Sequence, residues 1–370
     1  MRYYVIAGEA SGDLHGSNLI KELKKLDNSC QFRCWGGDLI KKETNFLVKH
    51  YKEYSHMGFL EVFLNIKKIL SNLSFCKRDI LEFNPDAIIY VDFPGFNLKI
   101  AKWAKKNKFI NHFYISPQIW AWKKNRINII KKVIDQMFVI LPFEKKYYSS
   151  KNYKVNYVGH PLLDVIDISK NILRGNKKEK IIALLPGSRS QEINKILPKM
   201  ISIVDDFSDY KYIICAAPSQ KKSSYKKYLN DLKTAKVEIV EDQTYEVLKK
   251  SSAALVTSGT ATLETALLNI PQIVCYKSSW ISIMIGRFLL RKLKFISLVN
   301  LILDKEVVTE LIQEKLNKKN LTRELEKILS DKGRSEVLIS YDKLRKVLGD
   351  SGASKETALG IHNYSANSNS

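Results

Sequence analysis

The feature that most constrains this chain is an alternation between short, unbroken apolar runs and longer amphipathic stretches, repeated along its length. In the first half the runs are Tyr3–Ala7, Phe32–Trp35, Ala87–Val91, Asn111–Ile115, Met137–Leu141 and Val155–Val158. In the second half they are Ile181–Leu185, Tyr212–Ala216, Val237–Val240, Ala253–Thr257 and Gln272–Tyr276. Helical spacing falls between most of them, as with Leu19, Ile20, Leu23 and Leu26 at i, i+1, i+4 and i+7. Continuous apolar strands bracketed by helices are buried on both faces, which is the pattern of a parallel sheet. Two such sets predict an α/β chain of two Rossmann-like domains.

A length of 370 residues and 45% hydrophobic content suit two separate cores and exclude global disorder. The pattern breaks between Gly159 and Lys180, where SKNILRGNKKEK is rich in lysine and turn formers. This predicts a first domain over 1–165 and a second over 166–345. A helix over 346–362 follows, within which Ser351 or Ser354 is a suitable N-cap. The polar tail 363–370 is expected to be disordered. Five scattered cysteines (Cys30, Cys34, Cys76, Cys215, Cys275) have neither disulfide-framework nor zinc-ligand spacing, so a reducing compartment is expected. The apolar run after Met1 is too short for a secretory leader, and no stretch has the roughly 18 uncharged apolar residues of a spanning helix.

The net charge of +23 directs attention to anionic partners: nucleic acid, phosphorylated metabolites or a membrane surface. The lysines are dispersed as pairs over many helices, with no helix-turn-helix, RNP or zinc-finger pattern, and a nucleic-acid partner is not expected. Two segments suit an anionic bilayer surface or, equally, a core-facing helix. Trp280–Ile296 sets Phe288 and Leu289 among Arg287, Arg291, Lys292 and Lys294, and Met57–Leu73 carries Lys67 and Lys68.

Chemistry is suggested at strand ends, where open α/β sheets bind ligands. The first strand runs into Gly8-Glu9-Ala10-Ser11-Gly12-Asp13-Leu14-His15-Gly16, which lacks the spacing of a nicotinamide fingerprint but crowds Glu9, Asp13 and His15 into one loop. After Ala87–Val91 comes Asp92, either a general base or a cap for the next helix. The Ser116–Lys123 loop places Trp120 and Trp122 where they form a sugar or acyl platform or simply pack. In the second half, Gly187, Ser188 and Arg189 lie at a strand-to-helix turn, where backbone N–H groups and a guanidinium suit a diphosphate. Ser258, Gly259 and Thr260 repeat the arrangement, with Glu264 one turn into the helix and suited to ribose hydroxyls.

Taken in order, GEASGDLHG, MGFLEV, ISPQIWAWKKNRI, LPFEKKYY, YVGHPLLD, LLPGSRSQEI and SGTATLETAL closely resemble the lipid-A-disaccharide synthases down to about Ile361. The resemblance implies a GT-B fold, two Rossmann-like domains facing across a cleft with a C-terminal helix returning to the first. It also implies an inverting glycosyltransferase. The enzyme would join UDP-2,3-diacylglucosamine to 2,3-diacylglucosamine 1-phosphate, giving a β-1,6-linked disaccharide and UDP. The location implied is cytoplasmic, peripheral on the inner face of the cytoplasmic membrane, and a homodimer is among the implied assemblies. Carried over by position, Gly187, Ser188 and Arg189 would hold the diphosphate. Ser258, Gly259, Thr260 and Glu264 would support phosphate and ribose, and Asn300, Glu310 and Gln313 would face the cleft. Glu9, Asp13, His15 and Asp92 would lie on the acceptor side. Many members carry a second acid where this chain has Gly95, which leaves Asp92 as the base, with Glu9, Asp13 and His15 as rivals. No cofactor and no metal are expected, since the sequence has no D-x-D pair. Other GT-B enzymes using UDP-N-acetylglucosamine-type substrates, an epimerase or the peptidoglycan glycosyltransferase, are the nearest alternatives.

Overall fold

The computed structural model describes residues 1–54, 66–121, 123–166, 179–218, 220–229, 237–277 and 294–369. The chain divides into two compact units, Met1–Asp164 with Asp350–Ser370, and Val165–Gly349.

The first unit is built on seven strands: β1 (Arg2–Ala7), β2 (Gln31–Gly36), β3 (Lys49–His50), β4 (Ala87–Val91), β5 (Ile110–Tyr114), β6 (Gln136–Val139) and β7 (Asn156–Tyr157). Their order is β3-β2-β1-β4-β5-β6-β7, and every pair is parallel. Side chains alternate between two cores, as the two-residue period of a strand requires. Tyr4, Ile6, Ile88 and Tyr90 pack into one core, and Tyr3, Val5, Ala87 and Ile89 into the other. The apolar runs were continuous because both faces are covered.

The second unit carries β8 (Ile181–Leu185), β9 (Lys211–Ala216), β10 (Val237–Glu241), β11 (Ala253–Thr257), β12 (Gln272–Tyr276) and β13 (Thr309–Ile312). The order is β10-β9-β8-β11-β12-β13, again wholly parallel. In each sheet the chain builds outward one way, then returns to the first strand and builds the other way. This reversal creates a switch point between β1 and β4 in one unit and between β8 and β11 in the other.

The last helix, Ala353–Asn369, belongs to the first unit. Ala358 and Ile361 are buried in the same core as Tyr3 and Val5. The expectation of a disordered tail is corrected here, because the helix continues to Asn369. The small side chain of Ser365 lets the helix approach β5 closely, and its hydroxyl lies 3.0 Å from Nε2 of the buried His112. Tyr364 packs edge-on against the same imidazole. The expected caps are also replaced. The Asp164 carboxylate accepts from the backbone N–H groups of Gly352 (2.6 Å) and Ser354 (2.8 Å), so a distant acid caps this helix.

Candidate active site: strand ends at two switch points

Asp92 follows β4 directly, with φ at 48°, and Phe93 follows at 50°. Two successive left-handed non-glycine residues are costly, and such strain concentrates at functional sites. It is held in place on all sides. The Asp92 N–H donates to the Tyr114 carbonyl (3.0 Å), and Asn97 Nδ2 donates to the Asp92 carbonyl (2.7 Å). The Phe93 ring packs against Gly8, where a Cβ would come within 2.2 Å of the ring, so only glycine permits this approach. Ile115, at the end of β5, is left-handed as well (φ 65°), an uncommon state for a β-branched residue. The Asp92 carboxyl is pushed up to about 7, by burial first and then by the nearby negative charges of Glu9 and Glu144. A carboxyl at that value is suited to accept a proton near neutral pH.

The other candidates in this unit are placed differently. Glu9 is exposed and begins the helix Ala10–Leu26. Asp13 is buried, and its carboxylate accepts from the N–H groups of Gly37 (2.7 Å), Leu39 (3.0 Å) and Ile40 (3.0 Å). It therefore caps the helix Asp38–Thr44 from outside, an architectural task that occupies its oxygens. His15 is buried beside His160 and Asp164; burial lowers it to about 4, so it is neutral at physiological pH. Its Nδ1 has no protein partner among the described residues. Gly95 is exposed, and a side chain there would meet nothing within 4 Å.

Sequence reasoning missed Glu144, a buried carboxylate in LPFEKKYY. It accepts from Ser116 Oγ (2.7 Å), Trp120 Nε1 (3.3 Å) and the N–H groups of Ile140 (3.2 Å) and Leu141 (2.9 Å). It thus fastens the tryptophan loop to the end of β6, while Trp120 meets Phe143 edge-on at 4.9 Å. Trp122 lies outside the described residues. Nothing in the local sequence set this glutamate apart from a first-turn helix acid.

In the second unit, β8 leads into Pro186-Gly187, and Gly187 takes φ 111° before the helix Ser190–Ile201. The Arg189 side chain is exposed. Around this turn the Glu192 carboxylate gathers the N–H groups of Ser188 (3.2 Å) and Arg189 (3.3 Å) and the Arg189 guanidinium (3.0 Å). At the end of β11, Ser258 Oγ donates to the Ile296 carbonyl (2.9 Å), and Gly259 (φ 149°) has open space before the helix Thr260–Leu267. Thr257, the last residue of β11, is buried with its hydroxyl unpartnered among the described residues. Glu264 accepts from Tyr245 Oη (3.1 Å), and burial raises its carboxyl.

Asn300 and Glu310 serve the framework. Asn300 is fully buried with both ends of its amide occupied, donating to the Val308 carbonyl and Glu310 and accepting from the Val307 and Val308 N–H groups. Glu310 additionally accepts from Ser297 Oγ (2.7 Å) and the N–H groups of Ile296 and Ser297. Together they anchor the 296–300 segment, and both ends of the Asn300 amide are engaged within the protein. Gln313 follows β13 in a left-handed conformation (φ 57°), half-buried. Among the described residues no group of three or more His, Cys, Asp or Glu side chains gathers as a metal site. No helix among them is long and apolar enough to cross a membrane. Most of Trp280–Ile296, and residues 57–65 of the other proposed surface segment, lie outside the described residues.

Solved structures similar over nearly the whole chain include UDP-GlcNAc 2-epimerase from Neisseria meningitidis bound to UDP-GlcNAc. It has a TM-score of 0.67 and 14% identity, and covers 98% of this chain and 100% of that one. The calicheamicin glycosyltransferase CalG4 gives a TM-score of 0.59 at 12% identity, covering 98% of both chains. At such identities the likeness shows the fold alone, which is GT-B. Sequence relatives are far nearer. Lipid-A-disaccharide synthase of Syntrophus aciditrophicus is 35% identical over 366 residues, 96% of this chain and 95% of that protein. Lipid-A-disaccharide synthase 1 of Legionella pneumophila is 34% identical, over 95% of this chain and 94% of that one. The family model described as lipid-A-disaccharide synthetase matches residues 3–359. This chain belongs to the lipid-A-disaccharide synthetase family of GT-B glycosyltransferases.

Proposed function

We propose that this glycosyltransferase condenses UDP-2,3-diacylglucosamine with 2,3-diacylglucosamine 1-phosphate, releasing UDP and a β-1,6-linked disaccharide. The observation that carries the reading is the match to lipid-A-disaccharide synthases, which spans 96% of this chain and 95% of the Syntrophus aciditrophicus protein. In this reading the Gly187–Arg189 turn and the Ser258–Thr260 turn grip the donor's diphosphate, and Glu264 accepts from ribose hydroxyls. Asp92 takes the proton of the acceptor's 6-hydroxyl as that oxygen attacks the anomeric carbon from the face opposite UDP, which inverts the centre. Its raised proton affinity and fixed backbone support that role. Glu9 is near enough to tune Asp92 electrostatically, and the buried His15 stays neutral.

Charge that grows on the departing UDP would fall to the N-terminus of the helix Ser190–Ile201 and to Arg189. No metal or cofactor is required in this scheme. Attachment to an anionic bilayer surface is supported by the +23 charge and by the exposed Ile66, Lys67, Lys68 and Leu70 that open the helix Ile66–Phe83. The test is UDP release measured with donor alone, acceptor alone and both. Release that needs both supports transfer, whereas equal release from donor alone means hydrolysis and refutes it.

A further inference from the structure

Glu192 occupies the very donors that the Pro186–Arg189 turn would offer to a phosphate. Its Oε2 accepts from the Ser188 and Arg189 N–H groups, and its Oε1 from the Arg189 guanidinium. Two adjacent backbone N–H groups with one guanidinium form a donor set that phosphate oxygens recognise. The turn is shaped around this carboxylate: at Gly187, whose φ is 111°, a Cβ would sit 2.6 Å from Glu192 Oε2.

We infer that Glu192 is an internal competitor for the diphosphate site, a residue that sets ligand specificity by charge. The inference rests on the reading of this turn as the UDP-diphosphate grip. A carboxylate has one charge over two oxygens. A ligand with a single phosphoryl group gains little by displacing it, whereas a diphosphate brings more oxygens and more charge to the same donors. The two anions cannot share the turn without like-charge repulsion, so Glu192 must swing out when UDP enters. Its side chain is 21% exposed, which gives it a way into solvent. When transfer is complete, Glu192 returns to the N–H groups and hastens the departure of UDP. A carboxylate that merely capped the helix would have no such effect on ligand affinity.

The experiment is calorimetric titration of the full chain with UDP and with UMP, comparing wild type, Glu192→Gln, Glu192→Asp and Arg189→Ala. Glu192→Gln keeps the side chain's size and removes its charge. It should tighten UDP on the order of tenfold, tighten UMP by at least as much, and slow UDP dissociation in stopped flow. Glu192→Asp, too short to reach both N–H groups, should tighten UDP to a lesser degree and decides the matter if the glutamine variant does not fold. Folded variants that bind UDP no more tightly than wild type overturn the inference. If Arg189→Ala weakens UDP while Glu192→Gln fails to tighten it, only the role of Glu192 is lost. If Arg189→Ala leaves both UDP binding and turnover unchanged, the turn is not the diphosphate site and the parent reading falls with it.

Discussion

Replacing Asp92 by asparagine separates what this residue does for the fold from what it does for the reaction. Asparagine tolerates the left-handed backbone that Asp92 adopts, so the strained turn is retained. In the folded chain the carboxyl titrates at about 7, against 3.8 for an ordinary aspartate. The folded state therefore holds this proton more tightly than the unfolded state does. The protonated form's stabilising contribution is complete below pH 3.8 and is lost progressively as pH rises to about 7. A shift of about three pH units corresponds to an upper bound of about 4 kcal/mol, reduced by whatever solvent reaches the half-buried group. Asp92→Asn cannot ionise, so its stability advantage should be absent near pH 4, grow toward pH 7 and be constant above. Above about pH 7, where the wild-type carboxylate is ionised, turnover of the variant should be lower by about 10²- to 10⁴-fold, the usual scale for a general base. Wild-type turnover should itself rise with pH and level off above about 7. Chemical denaturation at pH 5 and pH 8, paired with initial rates, measures both effects. A variant that is inactive yet no more stable at pH 8 refutes the electrostatic reasoning, and one near wild-type activity places the base elsewhere, with Glu9 next to be tested.

Arg189→Ala should lower turnover by about two or more orders of magnitude, and Arg189→Lys should recover little, since lysine lacks the bidentate fork; a change confined to the donor's KM contradicts this role. Gly8→Ala drives a methyl group into the Phe93 ring and should destabilise the first unit by about 1 to 3 kcal/mol while lowering turnover. Asp164→Ala strips the cap from the last helix, so hydrogen exchange over 353–369 should accelerate, with a loss of about 0.5 to 2 kcal/mol; unchanged protection contradicts the capping role. Flotation with anionic vesicles should be strong at low salt and weaken as salt screens it, and binding to neutral vesicles that is equal at every salt concentration removes the electrostatic component.

The sheets were readable because each central strand is apolar on both faces, and runs such as Ala87–Val91 and Ile181–Leu185 match the observed strands. β3 and β13 were not readable. The first is only Lys49-His50, and the second, Thr309–Ile312, is interrupted by Glu310, whose side chain serves a hydrogen-bond network. Strand ends pointed to the site because a parallel sheet presents its loops there, and Asp92 and Gly187 stand at the two switch points. The roles of individual acids were less accessible. Asp13 and Asp164 bind backbone N–H groups far away in sequence, and Glu144 holds the distant Ser116 and Trp120 side chains; local spacing cannot distinguish such an acid from a catalytic one. Glu192 was hidden differently, since a glutamate in the first helical turn reads as an ordinary cap until its overlap with the anion site is seen.

Sugar transfer between two acylated glucosamines is read out without intermediaries by product analysis. Purified protein should be incubated with UDP-2,3-diacylglucosamine and 2,3-diacylglucosamine 1-phosphate, and the products resolved by mass spectrometry. Equal amounts of UDP and a tetraacylated disaccharide phosphate are expected, with both diminished in Asp92→Asn and Arg189→Ala. UDP accompanied by free diacylglucosamine, or a donor returned as its epimer with no disaccharide, would contradict it.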